Sequence, residues 1–190
     1  MAFLAQELDG FLVQTVAPEI WPVTVAQVKR ALDLGDSDDD NDEINDLVPA
    51  AVDLVERDSR RALLTQTWVQ RFDGFLDEME LRRCPIASVT HVKYYDSSEV
   101  LQTLATTVYD TDLTTEPGRV KLGDGQSWPT TATVPNAVAI TFVAGWTSAE
   151  LVPRTAWLAV MLAMRHLFNG CELGDEYWNL VRRLRWSGPA

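Results

Sequence analysis

The stretch PRTAWLAVMLAMRHLFNG, Pro153 to Gly170, decides how the rest of the chain must be arranged. From Thr155 to Phe168 almost every residue is apolar, so the segment is either a helix buried on most sides or a membrane span. A span needs about 20 apolar residues, and Arg165 and His166 interrupt this one. A core helix is therefore predicted. Pro153 suits its first turn, where the missing N–H costs nothing, and Asn169-Gly170 is its stop. The strand-like AVAITFVAGW, Ala137 to Trp146, runs into it.

Working outward, the C-terminal side carries a second helical pattern, DEYWNLVRRLRW, Asp175 to Trp186. Tyr177, Leu180, Val181 and Leu184 make its apolar stripe, and Arg182, Arg183 and Arg185 crowd its last turn. On the N-terminal side, TVAQVKRALDL begins with Thr24 as N-cap and places Val25, Val28 and Leu32 on one face, with Gly35 as terminator. Ile44, Leu47, Val48, Ala51 and Val55 predict a third helix to about Arg60, regular from around Asn45 to Leu47 if Pro49 is not to kink it.

Between these helices the period changes from helical to alternating. Thr67 to Phe72 reads as a strand, and shorter strands are expected at 79–83, 88–95, 99–103, 107–111, 118–122 and 137–144. Polar turns such as Asp73-Gly74, Asp96-Ser97-Ser98 and Glu116-Pro117-Gly118 separate them. Short strands with polar turns imply an antiparallel sheet or small barrel. The fold class expected is α+β: a helical bundle of two N-terminal and two C-terminal helices with an inserted antiparallel β-sheet region. Its divisions are an N-terminal arm at 1–22, the bundle at 23–62 and 150–186, the β region at 65–146, and a tail at 187–190. The arm opens MAFLAQELDGFLVQ, short, mixed and acidic, and is expected to be flexible or bound to a partner.

Composition narrows the functions. The chain has 190 residues, 46% apolar and 23% charged, in the ordinary range for a globular protein. It is long enough for one domain with a large insertion. The net charge of −12 is concentrated early: residues 1–64 hold 14 acids and 5 bases. So acidic a surface does not wrap nucleic acid, because neutralising phosphate takes Lys and Arg. The two cysteines, Cys84 and Cys171, belong to no CxxC pair and are expected to be free, buried thiols in a reducing compartment. No basic-then-apolar leader opens the chain, so no secretion signal is expected.

Catalytic chemistry is not written in these residues. The acidic run Asp36, Asp38, Asp39, Asp40, Asp42 and Glu43 invites a calcium reading, which needs Gly at the sixth loop position and Glu at the twelfth. Counting from Asp36 gives Asn41 and Leu47; counting from Asp38 gives Glu43 and Pro49. The run is a solvated segment, and no metal or cofactor is expected. His91 and His166 could pair with Cys84 or Cys171 only by tertiary accident. Neither a Gly-x-Ser-x-Gly elbow nor an HExxH helix occurs. Gly123 to Ser127, GDGQS, lacks the Lys of a phosphate loop. A carboxylate-dependent hydrolase, or a binding domain of a bacterial protein, stays open as an alternative.

Two features point to partners instead. Arg, Trp and Tyr dominate interface energetics, and Tyr177, Trp178, Val181, Arg182, Arg183, Leu184, Arg185 and Trp186 share one terminal helix. The long polar loop DGQSWPTTATVPN, 124–136, carries Trp128 and Pro129 as candidate contacts.

Four passages, taken in order, resemble the head–tail connector (adaptor) proteins of long-tailed phages and prophages, in the larger subgroup with a β insertion. They are PVTVAQVKRALDL from Pro22, similar to that family's "PVTLAEAKAHL"; RRALLTQTW from Arg60, close to its "GRALITQTW"; SVTHVKYYDSSEVLQTL from Ser88, followed by EPGRV and QSWP; and VAITFVAGW with VPRTAWLAVMLAMRHLF and the distal RRLRW. They cover about residues 22–186. The chain departs from the pattern in its first dozen residues and in RHLFNG, where the family often carries an aromatic and an Arg. The resemblance implies a structural, non-enzymatic role: a homo-oligomeric ring of about twelve subunits below the portal protein, extending the DNA channel and offering a platform to a stopper, head-closure or tail-completion protein. It implies a virion neck location, with host cytoplasm during assembly and no membrane. It also implies that the helix from Tyr177 to Trp186 enters the portal. On that expectation Asp36 to Glu43 faces either the channel, where genomic DNA passes without specific binding, or solvent near it.

Overall fold

A computed structural model describes residues 12–35 and 37–185. The chain is α+β, with four helices and antiparallel sheets, and it divides into two compact units.

One unit comprises, among the described residues, 18–65 and 146–185. Helix α1 (Val25–Leu32) starts in a capping box: the Thr24 hydroxyl accepts from the Gln27 N–H while the Gln27 side chain accepts from the Thr24 N–H. It stops at Asp33 (φ 58°), two residues ahead of the Gly35 expected from sequence. Asp33 tolerates the left-handed region because its short polar side chain is one of the few that do. Helix α2 (Asn41–Ser59) begins earlier than expected and carries Pro49 in its interior. The Asn45 carbonyl there has no i+4 donor, and burial of Ile44, Val48, Ala51, Val52 and Val55 along one face offsets the loss.

Helix α3 (Arg154–Asn169) is the opening stretch of the sequence analysis. Pro153 is its N-cap, and Gly170 (φ 66°) ends it in the left-handed conformation. Ala156, Ala159, Val160, Ala163 and Met164 are fully buried. The small residues among them let α1, α2 and α4 (Asp175–Leu184) all approach α3, which packs against each. Among the described residues no helix is long and apolar enough to cross a membrane.

The other unit holds, among the described residues, 12–17 and 66–145. Strands β1 (Leu12–Val16), β2 (Gln66–Phe72), β4 (Ile86–Tyr95), β5 (Leu101–Thr103) and β8 (Val138–Ala144) form an antiparallel sheet in the order β1-β2-β8-β4-β5. Strands β3 (Glu78–Leu81), β6 (Tyr109–Asp112) and β7 (Gly118–Leu122) form a second, in the order β3-β7-β6. The central strand β8 alternates strictly, burying Val138, Ile140, Phe142 and Ala144. Gln70 ties the sheets together: its amide donates to the Glu80 carbonyl and its oxygen accepts from the Arg82 N–H, both at 2.9 Å.

Strand β1 corrects the sequence reading, which left these residues inside an arm. Leu12–Val16 pairs antiparallel with β2, but its side chains are exposed or nearly so on both faces. A strand that buries neither face shows no hydrophobic alternation for sequence analysis to detect.

Candidate interaction surface

Helix α4 presents three faces, each at i, i+4, i+7 spacing. The first faces inward. Tyr177, Val181 and Leu184 are 1%, 4% and 6% exposed and belong to the unit's apolar core. The Tyr177 hydroxyl donates to Asp58 on α2 at 2.8 Å. Burial first, and the Asp58 carboxylate second, push its pKa up. The Arg61 guanidinium donates to the Leu184 carbonyl, satisfying one of the open acceptors at the helix end. These three residues were expected to meet a partner. The structure instead spends them on their own chain, because α4 is short and its apolar stripe is what holds it to α2 and α3.

The second face turns outward. Trp178 is 43% exposed, its ring set edge-on to Tyr177 at 5.1 Å. Arg182 and Arg185 follow it on the same stripe, exposed, and form no ion pair among the described residues. Trp186 lies outside the described residues.

The third face, with Glu176, Leu180 and Arg183, borders a groove of about 420 Å³. Asn179 of α4, Ala31 of α1 and Leu158, Met161, Leu162 and Arg165 of α3 complete its lining. Sequence reading had assigned Arg183 with Arg182 and Arg185. The 100° turn per residue sends it to a different side. The groove itself has no sequence signal: Leu158 lies in an almost unbroken apolar run, and only packing shows that it stays 41% exposed.

The acidic stretch lies at the entry to α2. Asp42 and Glu43 occupy its first turn, where negative charge meets the positive end of the helix dipole. Asp38, Asp39 and Asp40 form the preceding turn, in which Asp38 accepts from Asn41 and Asp39 from Ser37, both at 2.6 Å. Asp36 lies outside the described residues. The buried Lys29 reaches the Ser37 carbonyl and anchors the turn to α1. Among the described residues no group of three or more His, Cys, Asp or Glu is arranged to hold a metal ion.

The 124–136 loop is occupied within its own unit. Trp128 stacks on Phe75 at 4.5 Å and 3° between ring planes, and Phe75 packs at 5.5 Å on Tyr94. Trp128 and Pro129 are half-buried. The loop is pinned by the Ala132 N–H to the Tyr95 carbonyl and by the Asn136 N–H to Asp73, at 2.9 and 2.8 Å. Trp128 had been read as a partner contact. Within the chain it packs on Phe75, a contact that sequence distance concealed.

No thiol–imidazole pair forms among the histidines and cysteines. The His166 ring bonds the Cys171 backbone carbonyl, and the Cys171 thiol donates to the Arg165 carbonyl at 3.4 Å. Neither cysteine forms a disulfide. Cys84 is buried as expected, whereas Cys171 is exposed, because it follows the Gly170 stop and leaves the helix core. Half-burial, with Lys93 nearby, lowers the His91 pKa.

With this geometry in hand, the chain was compared with known proteins. No protein-family model matches it, and no curated protein matches it. Its fold matches solved structures. A chain of the virion of the native gene transfer agent (GTA) particle superposes with a TM-score of 0.77 at 20% identity, over 95% of this chain and 97% of that one. A chain from the neck of the empty GTA particle, computed with C6 symmetry, gives 0.77 at 19% identity, and one from the neck of the native particle, computed with C12 symmetry, gives 0.75 at 19%, with the same coverage. At this identity the likeness establishes a shared fold.

Proposed function

We propose that the chain is a structural subunit of the neck of a phage-like particle, acting as the adaptor ring below the portal. The observation that carries this reading is the likeness to chains of neck structures, which matches 95% of this chain and 97% of the neighbour. The sequence motifs from Pro22 to the distal RRLRW point the same way. A helical bundle interrupted by an inserted sheet suits a subunit that meets neighbours on several sides. In this reading the subunit is not an enzyme. It forms a ring of about twelve copies, a closed cyclic assembly of the kind most homo-oligomers adopt.

The docking element is the outward stripe of Trp178, Arg182 and Arg185, with Trp186 next in the sequence. It combines an exposed aromatic with unpaired guanidinium groups, the pairing that concentrates binding energy at interfaces. Tyr177, Val181 and Leu184 support it from behind. Asp38, Asp39, Asp40, Asp42 and Glu43 face the channel or the solvent near it and repel phosphate, so that genomic DNA slides through unbound. The lower rim receives a stopper or tail-completion protein. The protein resides in the virion neck and, before that, in the host cytoplasm during assembly.

The test is co-assembly with the portal ring of the same particle, imaged by electron microscopy. A ring of this chain seated below the portal is the expected result. A chain that stays off the portal at saturating concentration overturns the reading.

A further inference from the structure

The groove beside α3 and α4 falls outside portal docking. Its lining is apolar at Leu158, Met161, Leu162 and Leu180, and charged at Arg165, Arg183 and Glu176. None of these three charged groups forms an ion pair among the described residues. The groove therefore offers an apolar seat with two positive groups and one negative group around it. The occupant that complements it brings apolar side chains flanked by a carboxylate on one side and a cation on the other.

The turn between β4 and β5 has that chemistry. Val100 and Leu101 are 53% and 51% exposed, and Tyr95, the cross-strand partner of Leu101, is exposed as well. Directly opposed residues share one face of a ladder, so Tyr95 and Leu101 stand side by side. Lys93, paired with Thr103, lies two residues further along that face. Glu99 sits in the turn itself, exposed, and forms no ion pair among the described residues. The turn is braced from within. The Asp96 carboxylate accepts from the Ser98 and Val100 N–H groups, the Asp96 N–H donates to the Val100 carbonyl at 3.0 Å, and the Glu99 N–H donates to the Asp96 carbonyl at 2.8 Å. Docking a turn already in shape costs little ordering. We infer that this turn of a second copy of the chain occupies the groove, its Tyr95, Val100 and Leu101 on the apolar lining. Glu99 then lies beside Arg165 and Arg183, and Lys93 beside Glu176. Assignment to a second copy rests on the ring reading. Turn and groove are different surfaces, so the contact is head-to-tail, and its repetition about an axis closes a ring.

The experiment uses the full-length chain without the portal, so the portal reading stands or falls separately. In sedimentation the wild type is expected to self-associate as its concentration rises. Val100→Ser/Leu101→Ser disables the turn and Leu158→Glu disables the groove, at exposed positions where substitution leaves the fold in place. Each variant self-associates at least about tenfold more weakly than the wild type, roughly 1.4 kcal/mol, and the two mixed form a one-to-one complex. Charge repeats the test: Glu99→Lys and Arg165→Glu/Arg183→Glu each lose association, and a chain carrying all three changes recovers it. A wild type that stays monomeric, or disabled variants that associate as it does, overturns the inference and leaves the portal experiment standing. Disabled variants that stay apart on mixing, or a charge-swapped chain that does not recover, overturn the pairing of turn with groove.

Discussion

The Tyr177 hydroxyl donates a 2.8 Å hydrogen bond to the Asp58 carboxylate, joining α4 to α2 across 119 residues of sequence. Tyr177 is almost fully buried, while its acceptor Asp58 keeps 15% of its side chain exposed. Tyr177→Phe is expected to cost about 1–3 kcal/mol, because the acceptor is left unsatisfied. Urea unfolding checks this: the midpoint falls and the slope stays constant.

The same pair sets a pH dependence. Burial raises the Tyr177 pKa, so the folded state keeps its proton where the unfolded chain, titrating near 10, releases it. The contribution is fully present below about pH 10 and is lost as pH rises above it. Stability measured between pH 9 and 11 should fall in the wild type more steeply than in Tyr177→Phe (a range set by the ordinary tyrosine value of about 10). Equal slopes would remove Tyr177 from the account.

The faces of α4 predict a separation of stability from binding. Leu184→Ala is expected to destabilise the chain by about 2–5 kcal/mol through a core cavity. Arg182→Glu and Arg185→Glu are exposed and should stay within about 0.5 kcal/mol of wild type, yet lose portal binding. Thermal melts and portal pull-downs on the same samples check both halves. Deleting α4 outright is a poor test, because it strips Tyr177, Val181 and Leu184 from the core.

Trp128 is accounted for inside its unit, so Trp128→Ala should destabilise by about 1.5–3 kcal/mol, from lost stacking and lost area. Near-ultraviolet circular dichroism and a melt detect it. A loop serving only a partner would give a variant as stable as the wild type.

Asp96 organises the turn between β4 and β5. One carboxylate oxygen accepts from the Ser98 and Val100 N–H groups, and the other from the Gln102 side chain. These bonds, led by Gln102, hold its pKa below the ordinary value. Their contribution is present above the ordinary carboxylate pKa of about 3.9 and is lost as pH falls below it. Asp96→Ala should raise hydrogen exchange at Ser98 and Val100 while leaving β8 protected; unchanged exchange at both amides would contradict the assignment.

How far sequence reading reached can be judged element by element. The four helices were legible because each carries a one-sided apolar stripe or, in α3, an apolar run bounded by Pro153 and Gly170. Seven of the strands were legible from alternation and turn chemistry. Strand β1 was not, because it buries neither face. The stop of α1 was misplaced by two residues, since Asp33 takes the left-handed role that glycine usually fills.

The sequence by itself determined the α+β class, the capping of α1, the burial of α3 and the concentration of Arg and Trp on the last helix. Each follows from local periodicity or from a residue whose backbone preference is strong. Only the tertiary structure decided which residues of that helix are free. Tyr177 went to Asp58, Trp128 went to Phe75, and Arg183 went to a groove with Leu158. Burial and pairing across such sequence separations depend on how elements pack, and no local pattern encodes that choice.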